Sequence, residues 1–162
     1  MTGRLWPGVD CLDNQGEKLE ISRRTDYAIR LMAALLKNAG RPLSVKEAAQ
    51  MQDVPYSFAR SIQHELTKHG MVKTVRGARG GMILAVDPKT LTLLEFIEVF
   101  QGPVSVAICL SEPGWCPRDG CCEFHEIWGG ASQLLKDYLG SMTFSDILDG
   151  KTVFAGGIQR EN

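Results

Sequence analysis

A mainly α-helical chain carrying one small β hairpin follows from three features of the sequence. Two helical stretches meet at the short segment Gln52–Asp53–Val54, and the second is amphipathic. A glycine-rich basic turn, Arg76–Gly77–Ala78–Arg79–Gly80–Gly81, separates two runs of strand-forming residues. From Phe124 to Met142, apolar residues recur at helical spacing. Together they predict a winged helix-turn-helix domain followed by a long C-terminal helix. The expected order is a flexible leader over 1–17, the winged domain over 18–102 and a cysteine-rich loop over 103–122. A dimerisation helix with a short final helix then occupies 123–148, before a disordered tail over 149–162.

The composition is that of an ordinary globular domain, 44% hydrophobic and 23% charged. No apolar run approaches the roughly 18 residues that span a bilayer, and no signal-peptide pattern opens the chain, so a cytoplasmic protein without membrane contact is expected. The net charge of −1 conceals an asymmetry. Residues 18–89 hold 13 Lys and Arg against 6 Asp and Glu, whereas residues 90–162 hold 4 against 10. A basic front half suits a polyanionic partner, although charge balance alone also describes a solvated face.

Ser22 is a good N-cap for a first helix running to about Asn38, with Ala28, Leu31, Met32, Leu35 and Leu36 facing the core. Arg23 and Arg24 stand in its first turn, where cations oppose the helix dipole. A nearby phosphate backbone accounts for them, two solvated arginines being the plain alternative. Ser44 and Glu47 form a capping box for a short helix to Met51. Pro55 suits the first position of the next helix, which continues to Lys68 and stops at Gly70. Val54, Phe58, Ile62 and Leu66 make its expected buried stripe. Tyr56, Ser57, Arg60, Ser61 and His64 lie off that stripe, on the face that would enter a DNA major groove.

Met71–Val75 and Met82–Ala85 read as the strands of a wing. Gly77 and Gly80 let its tip approach a surface closely, while Arg76 and Arg79 reach phosphate or the minor groove. A phosphate-binding glycine loop would need a helix directly after the glycines, and a strand-like run follows instead. Thr92 and Glu95 cap another helix through Phe100, ending at Gly102–Pro103, with Leu93, Phe96, Ile97 and Phe100 on its core face.

Four of the five cysteines fall within 14 consecutive positions, 109–122, and His125 follows. Pro113, Gly114, Pro117 and Gly120 break regular structure there, so the thiols are expected on a loop that folds around a small object. Cys109, Cys116 and Cys122 are separated by six and five residues. Zinc knuckles pair their ligands more closely, whereas such spacing suits a [2Fe–2S] or [4Fe–4S] cluster held by thiolates. Reversible thiol oxidation is the simpler alternative. Cys11, in the leader, reads as an incidental thiol.

The segments Ser22–Ala28 and Leu43–Ala49, the turn Arg76–Gly81 and the cysteine loop resemble the Rrf-type winged-helix transcription regulators. That family includes IscR, NsrR and CymR, and the likeness lies with its cluster-binding branch. The resemblance covers roughly residues 18–150 and implies a homodimeric regulator, commonly a repressor, that binds palindromic double-stranded DNA operators. It also implies an iron–sulfur cluster on Cys109, Cys116 and Cys122, with Cys121 a bystander. His125 matches the histidine of IscR-like members. Asp26 matches the acidic ligand that NsrR-like members supply from the other subunit, and a salt bridge or a polar cap on a helix start is its plain alternative. The six-residue first gap is one longer than the family's common form and leaves the cluster type open. Arg60 stands where IscR has an acidic residue, so operator preference does not transfer.

In the last long helix Phe124, Ile127, Trp128, Leu134, Leu135 and Tyr138 form a stripe suited to a twin subunit. Gly129 and Gly130 weaken that helix by roughly 1 kcal/mol each relative to alanine, which suggests a close backbone approach. Thr143 and Asp146 start a final short helix to Leu148. No catalytic constellation or nucleotide loop is present, so an enzyme is not expected. The sequence therefore predicts a DNA-binding regulator sensing redox state, nitric oxide or iron–sulfur status. The alternatives are a thiol- or metal-binding redox protein without DNA activity, or a cluster-free regulator answering to a protein partner.

Overall fold

The computed structural model describes residues 20–38, 40–77, 79–118 and 121–150. The expected leader with Cys11, and the tail from 151 onward, lie outside the described residues. The order is α1 (Arg23–Lys37), α2 (Val45–Met51), α3 (Tyr56–Lys68), β1 (Val72–Val75), β2 (Gly81–Leu84), α4 (Leu93–Gln101), α5 (Ile108–Ser111), α6 (His125–Gly140) and α7 (Phe144–Leu148). Mainly helical architecture with a two-stranded wing is what the sequence predicted.

Local chemistry sets most boundaries. Ser22 Oγ accepts from the Thr25 N–H at the start of α1. Complete capping boxes open α2 (Ser44 with Glu47), α4 (Thr92 with Glu95) and α7 (Thr143 with Asp146), each satisfying orphan N–H groups. Hydrogen bonds from the Ser44 hydroxyl and N–H hold the Glu47 carboxyl below its ordinary value, and bonds from the Thr92 N–H and hydroxyl do the same for Glu95. Pro55 is the N-cap of α3 and not its first helical residue, and Asp53, at φ 51°, makes the turn between α2 and α3.

The core gathers Ala28, Leu31, Met32 and Leu35 of α1, Ala48 and Ala49 of α2, and Ala59, Ile62 and Leu66 of α3 around Met82 and Phe96. Phe58 is not part of it. The buried stripe of α3 runs through Ala59, Ile62 and Leu66, which turns Phe58 outward to 44% exposure. There its ring meets Tyr27 edge-on, with centroids 5.7 Å apart.

β1 and β2 pair antiparallel with Val72 opposite Leu84 and Val75 opposite Gly81. Leu43, just before α2, pairs with β2 by an isolated antiparallel bridge: its N–H donates to Met82 O (3.0 Å) and its carbonyl accepts from Met82 N–H (2.7 Å). A Cβ on Gly81 would stand 2.5 Å from the Leu43 carbonyl carbon and oxygen, and one on Gly80 would collide with the Val75 carbonyl. These glycines are therefore required by the wing's own packing. α7, grouped by sequence with the dimerisation helix, docks on the winged domain: Phe144 is buried against Phe96 at 4.9 Å, and Phe144 N–H donates to Leu91 O.

Candidate nucleic-acid interface and cysteine loop

α3 is anchored by its apolar stripe, and the opposite side is open. Tyr56, Ser57, Arg60, Ser61 and His64 are all exposed, Tyr56 at 51%. Lys46 and Gln50 of α2 line a hollow with Tyr56 at the elbow between the two helices. Sequence reasoning passed over both, although their exposed polar positions on the first helix of the pair were a usable signal. The wing carries exposed Arg76 and Arg79 beside the tight turn in which the Gly80 N–H donates to Gly77 O (2.9 Å). Gly77, at φ +123°, adopts a backbone that only glycine takes readily.

The two arginines of the first turn of α1 differ. Arg23 is exposed. Arg24 is held within the chain, its Nε donating to Glu65 Oε2 (3.1 Å) and its Nη2 lying 2.7 Å from Glu65 Oε1 and 3.0 Å from Ser61 Oγ. Asp26 forms a salt bridge, one of its two plain alternatives, 2.8 Å from Arg30 Nη2. The Arg30 guanidinium in turn lies 6.0 Å from the centroid of the Tyr27 ring.

The cysteine segment is not loop throughout. Cys109 sits on α5, a single turn closed by the Glu112 N–H donating to Ile108 O (2.8 Å). The first breaker, Pro113, comes after this turn and forces Glu112 out of helical backbone (φ −125°, ψ 90°). Cys109, Cys116 and Cys122 are partly buried free thiols, and Cys121 is exposed. His125 opens α6, its N–H donating to Cys122 O (3.1 Å). The thiol set has the right chemistry for an iron–sulfur core. In the geometry seen, no three His, Cys, Asp or Glu side chains among the described residues are gathered to hold a metal ion. Asp26 belongs to α1 and is engaged by Arg30.

α6 exposes apolar side chains that an isolated chain would bury. Leu134 is 73% exposed, Ile127 58% and Phe124 56%, with Trp128 and Tyr138 also exposed and Leu135 half-buried. Phe124 and Trp128 stack at 6.4 Å. Large exposed apolar patches in general mark contacts with a protein, a membrane or a ligand. No atom lies within 4 Å of a Cβ built on Gly129 or Gly130, so nothing described in the chain itself requires these glycines. None of the described helices is long and apolar enough to cross a membrane.

A helix pair with an outward polar face, a basic wing and an apolar helix beyond define a winged helix-turn-helix transcription regulator. The family model described as Rrf2, iron-dependent transcriptional regulator, matches residues 21–150, and the chain belongs to that family. It is 29% identical over 130 residues to the HTH-type transcriptional regulator CymR of Bacillus subtilis, covering 80% of this chain and 89% of CymR. It is 27% identical over 126 residues to NsrR of Shouchella clausii, covering 74% and 85%. Among solved structures, CymR, the global cysteine regulator of B. subtilis, superposes with a TM-score of 0.67 at 26% identity, covering 81% of this chain and 97% of that one. IscR of T. potens superposes at 0.64 and 25% identity, covering 87% and 93%.

Proposed function

We propose that the protein is a homodimeric regulator that binds a palindromic DNA operator and whose grip on it depends on an iron–sulfur cluster. The observation that carries the DNA part is the division of α3. Ala59, Ile62 and Leu66 fix the helix to the core, while Tyr56, Ser57, Arg60 and His64 are left to reach base edges. Arg76, Arg79 and the exposed Arg23 supply phosphate contacts, with Lys46 beside the elbow. The apolar stripe of α6 supports pairing with a second copy, which would offer recognition helices to successive major grooves.

Cys109, Cys116 and Cys122 would hold the cluster, with His125, or Asp26 of a second copy, completing it. A bound cluster supplies a centre that oxidants, nitric oxide or iron shortage can alter. For its thiols to converge, the loop between α5 and α6 must close, and for Asp26 to ligate, its carboxylate must leave Arg30. Because the loop runs directly into α6, its closure bears on the helix that would set the spacing of the two readers.

A second reading follows from the donors standing apart: a regulator without a cluster, answering through its thiols or a protein partner. Anaerobic purification with iron and acid-labile sulfide assays separates the two. Visible absorption, stoichiometric iron and sulfide, and different operator affinities for cluster-loaded and cluster-free protein are the expected results. A colourless, iron-free protein after reconstitution overturns the cluster. Equal affinities of the two forms overturn its regulatory role.

A further inference from the structure

One guanidinium joins α1 to the recognition helix. Arg24 donates through Nε to one Glu65 oxygen (3.1 Å) and through Nη2 to the other (2.7 Å) and to Ser61 Oγ (3.0 Å). Ser61 and Glu65 stand one turn apart on α3, so a single side chain spans a full turn of that helix. They directly follow Arg60 and His64, two of the outward-facing candidates for base contact.

The turn that carries Arg24 is itself clamped from the other side. Thr25 is fully buried and its Oγ1 donates to Gln101 Oε1 (2.8 Å) at the end of α4. The same oxygen accepts from the Ser22 N–H (3.2 Å), and Gln101 Nε2 donates to Glu20 O (3.2 Å). The first turn of α1 is thus fixed on α4 and grips α3, which makes Arg24 a strut between two helices. Three of the guanidinium's donor contacts are already made within the chain, and Glu65 beside it would repel an approaching phosphate.

We propose that Arg24 is a positioning residue for the recognition helix, fixing its roll through Glu65 and Ser61, and that it is not a phosphate contact. This rests on the DNA-binding reading above. A small roll of α3 about its buried stripe would move Arg60 and His64 across the base edges. It would leave the contacts of the wing with phosphate in place. Losing the strut should therefore cost discrimination between sequences and leave general attraction to DNA intact.

The test uses an operator selected by the full-length wild-type protein from a pool of random duplexes, and a scrambled duplex for comparison. Affinities for both are measured across a range of salt for wild type, Arg24→Ala, Arg24→Gln, Arg24→Glu alone, the charge-reversed pair Arg24→Glu with Glu65→Arg, and Arg76→Ala. Arg24→Ala should lose about threefold to fivefold on the operator, with the scrambled duplex and the salt slope unchanged. The reversed pair should recover most of that loss, and Arg76→Ala should lower the slope on both duplexes. If Arg24→Ala unfolds, Arg24→Gln carries the same comparison, since it keeps an amide donor and removes the charge. A salt slope shallower by about 0.9 for an Arg24 variant, with equal loss on both duplexes, makes it a phosphate contact and overturns the proposal. So does a reversed pair no better than Arg24→Glu alone. Failure of wild type to select any operator is recognised before variants are compared, and it removes the DNA-binding reading itself.

Discussion

Replacing Gly81 by alanine should loosen the wing from the body of the domain. Its Cβ would lie 2.5 Å from both the carbonyl carbon and the oxygen of Leu43, and 2.8 Å from the Ser44 nitrogen. All three are backbone atoms flanking the capping box of α2, so no side chain can swing aside. Relief requires β2 to move off the Leu43 segment, which stretches the two hydrogen bonds between Leu43 and Met82 (3.0 and 2.7 Å). Two such bonds contribute about 1 kcal/mol each, and overpacking against a fixed backbone costs about 1–3 kcal/mol. The stiffer unfolded chain returns up to about 1 kcal/mol, which leaves a net loss of roughly 2–5 kcal/mol. Urea unfolding followed by far-UV circular dichroism measures this directly. Gly130→Ala serves as a control for assay and helix propensity, because nothing lies within 4 Å of its added Cβ. In protein diluted to the monomer it should stabilise by up to about 1 kcal/mol. Gly81→Ala unfolding within about 0.5 kcal/mol of wild type would show that the Leu43 contact does not constrain the wing, and the reasoning would fail.

Three further outcomes are expected. Substituting Arg76 and Arg79 with alanine should weaken binding to every duplex and lower the salt slope by about 0.9 per phosphate contact removed, read by titration at several salt concentrations. Leu134→Asp, at a position 73% exposed in the single chain, should leave monomer stability within about 0.5 kcal/mol yet shift the protein towards monomer in sedimentation experiments. A dimer that survives this change would place the subunit contact elsewhere. Acid unfolding should report the capping boxes: hydrogen bonds within them hold the Glu47 and Glu95 carboxyls below their ordinary value in the folded chain. Their contribution is therefore complete above the ordinary carboxylate value and is lost as pH falls through the depressed folded values. Glu95→Gln should flatten that part of the stability profile, and an unchanged profile would contradict it.

What could be read from the sequence was short-range. Ser44 with Glu47, Thr92 with Glu95 and Thr143 with Asp146 lie three residues apart, and their reciprocal bonds fix helix starts whatever packs above them. The wing was legible for the same reason, since its glycines report a tight turn. What escaped was carried by distant partners. Arg24 meets Glu65 at a separation of 41 residues, and Thr25 meets Gln101 at 76, distances at which no periodicity gives a signal. Phe58 is misplaced because a strict four-residue repeat through Ile62 and Leu66 drifts around the helix, and Ala59, three residues before Ile62, takes the buried side instead. The turn holding Cys109 was missed because breakers from Pro113 onward were allowed to speak for residues before them. Which thiols act together was legible only as a list of donors, since their convergence depends on a tertiary arrangement.

The hydroxyl of Ser132 has a mechanical consequence. It is buried in α6 and accepts from the Val106 N–H at 3.1 Å, while the far end of the cysteine segment enters the same helix at His125. Positions 125 and 132 are separated by about 10 Å of helical rise. The intervening chain is thus a bight lashed at both ends to one spar, with its closure entropy already spent. Tightening or slackening it would pull on α6, which packs against α4 of the winged domain.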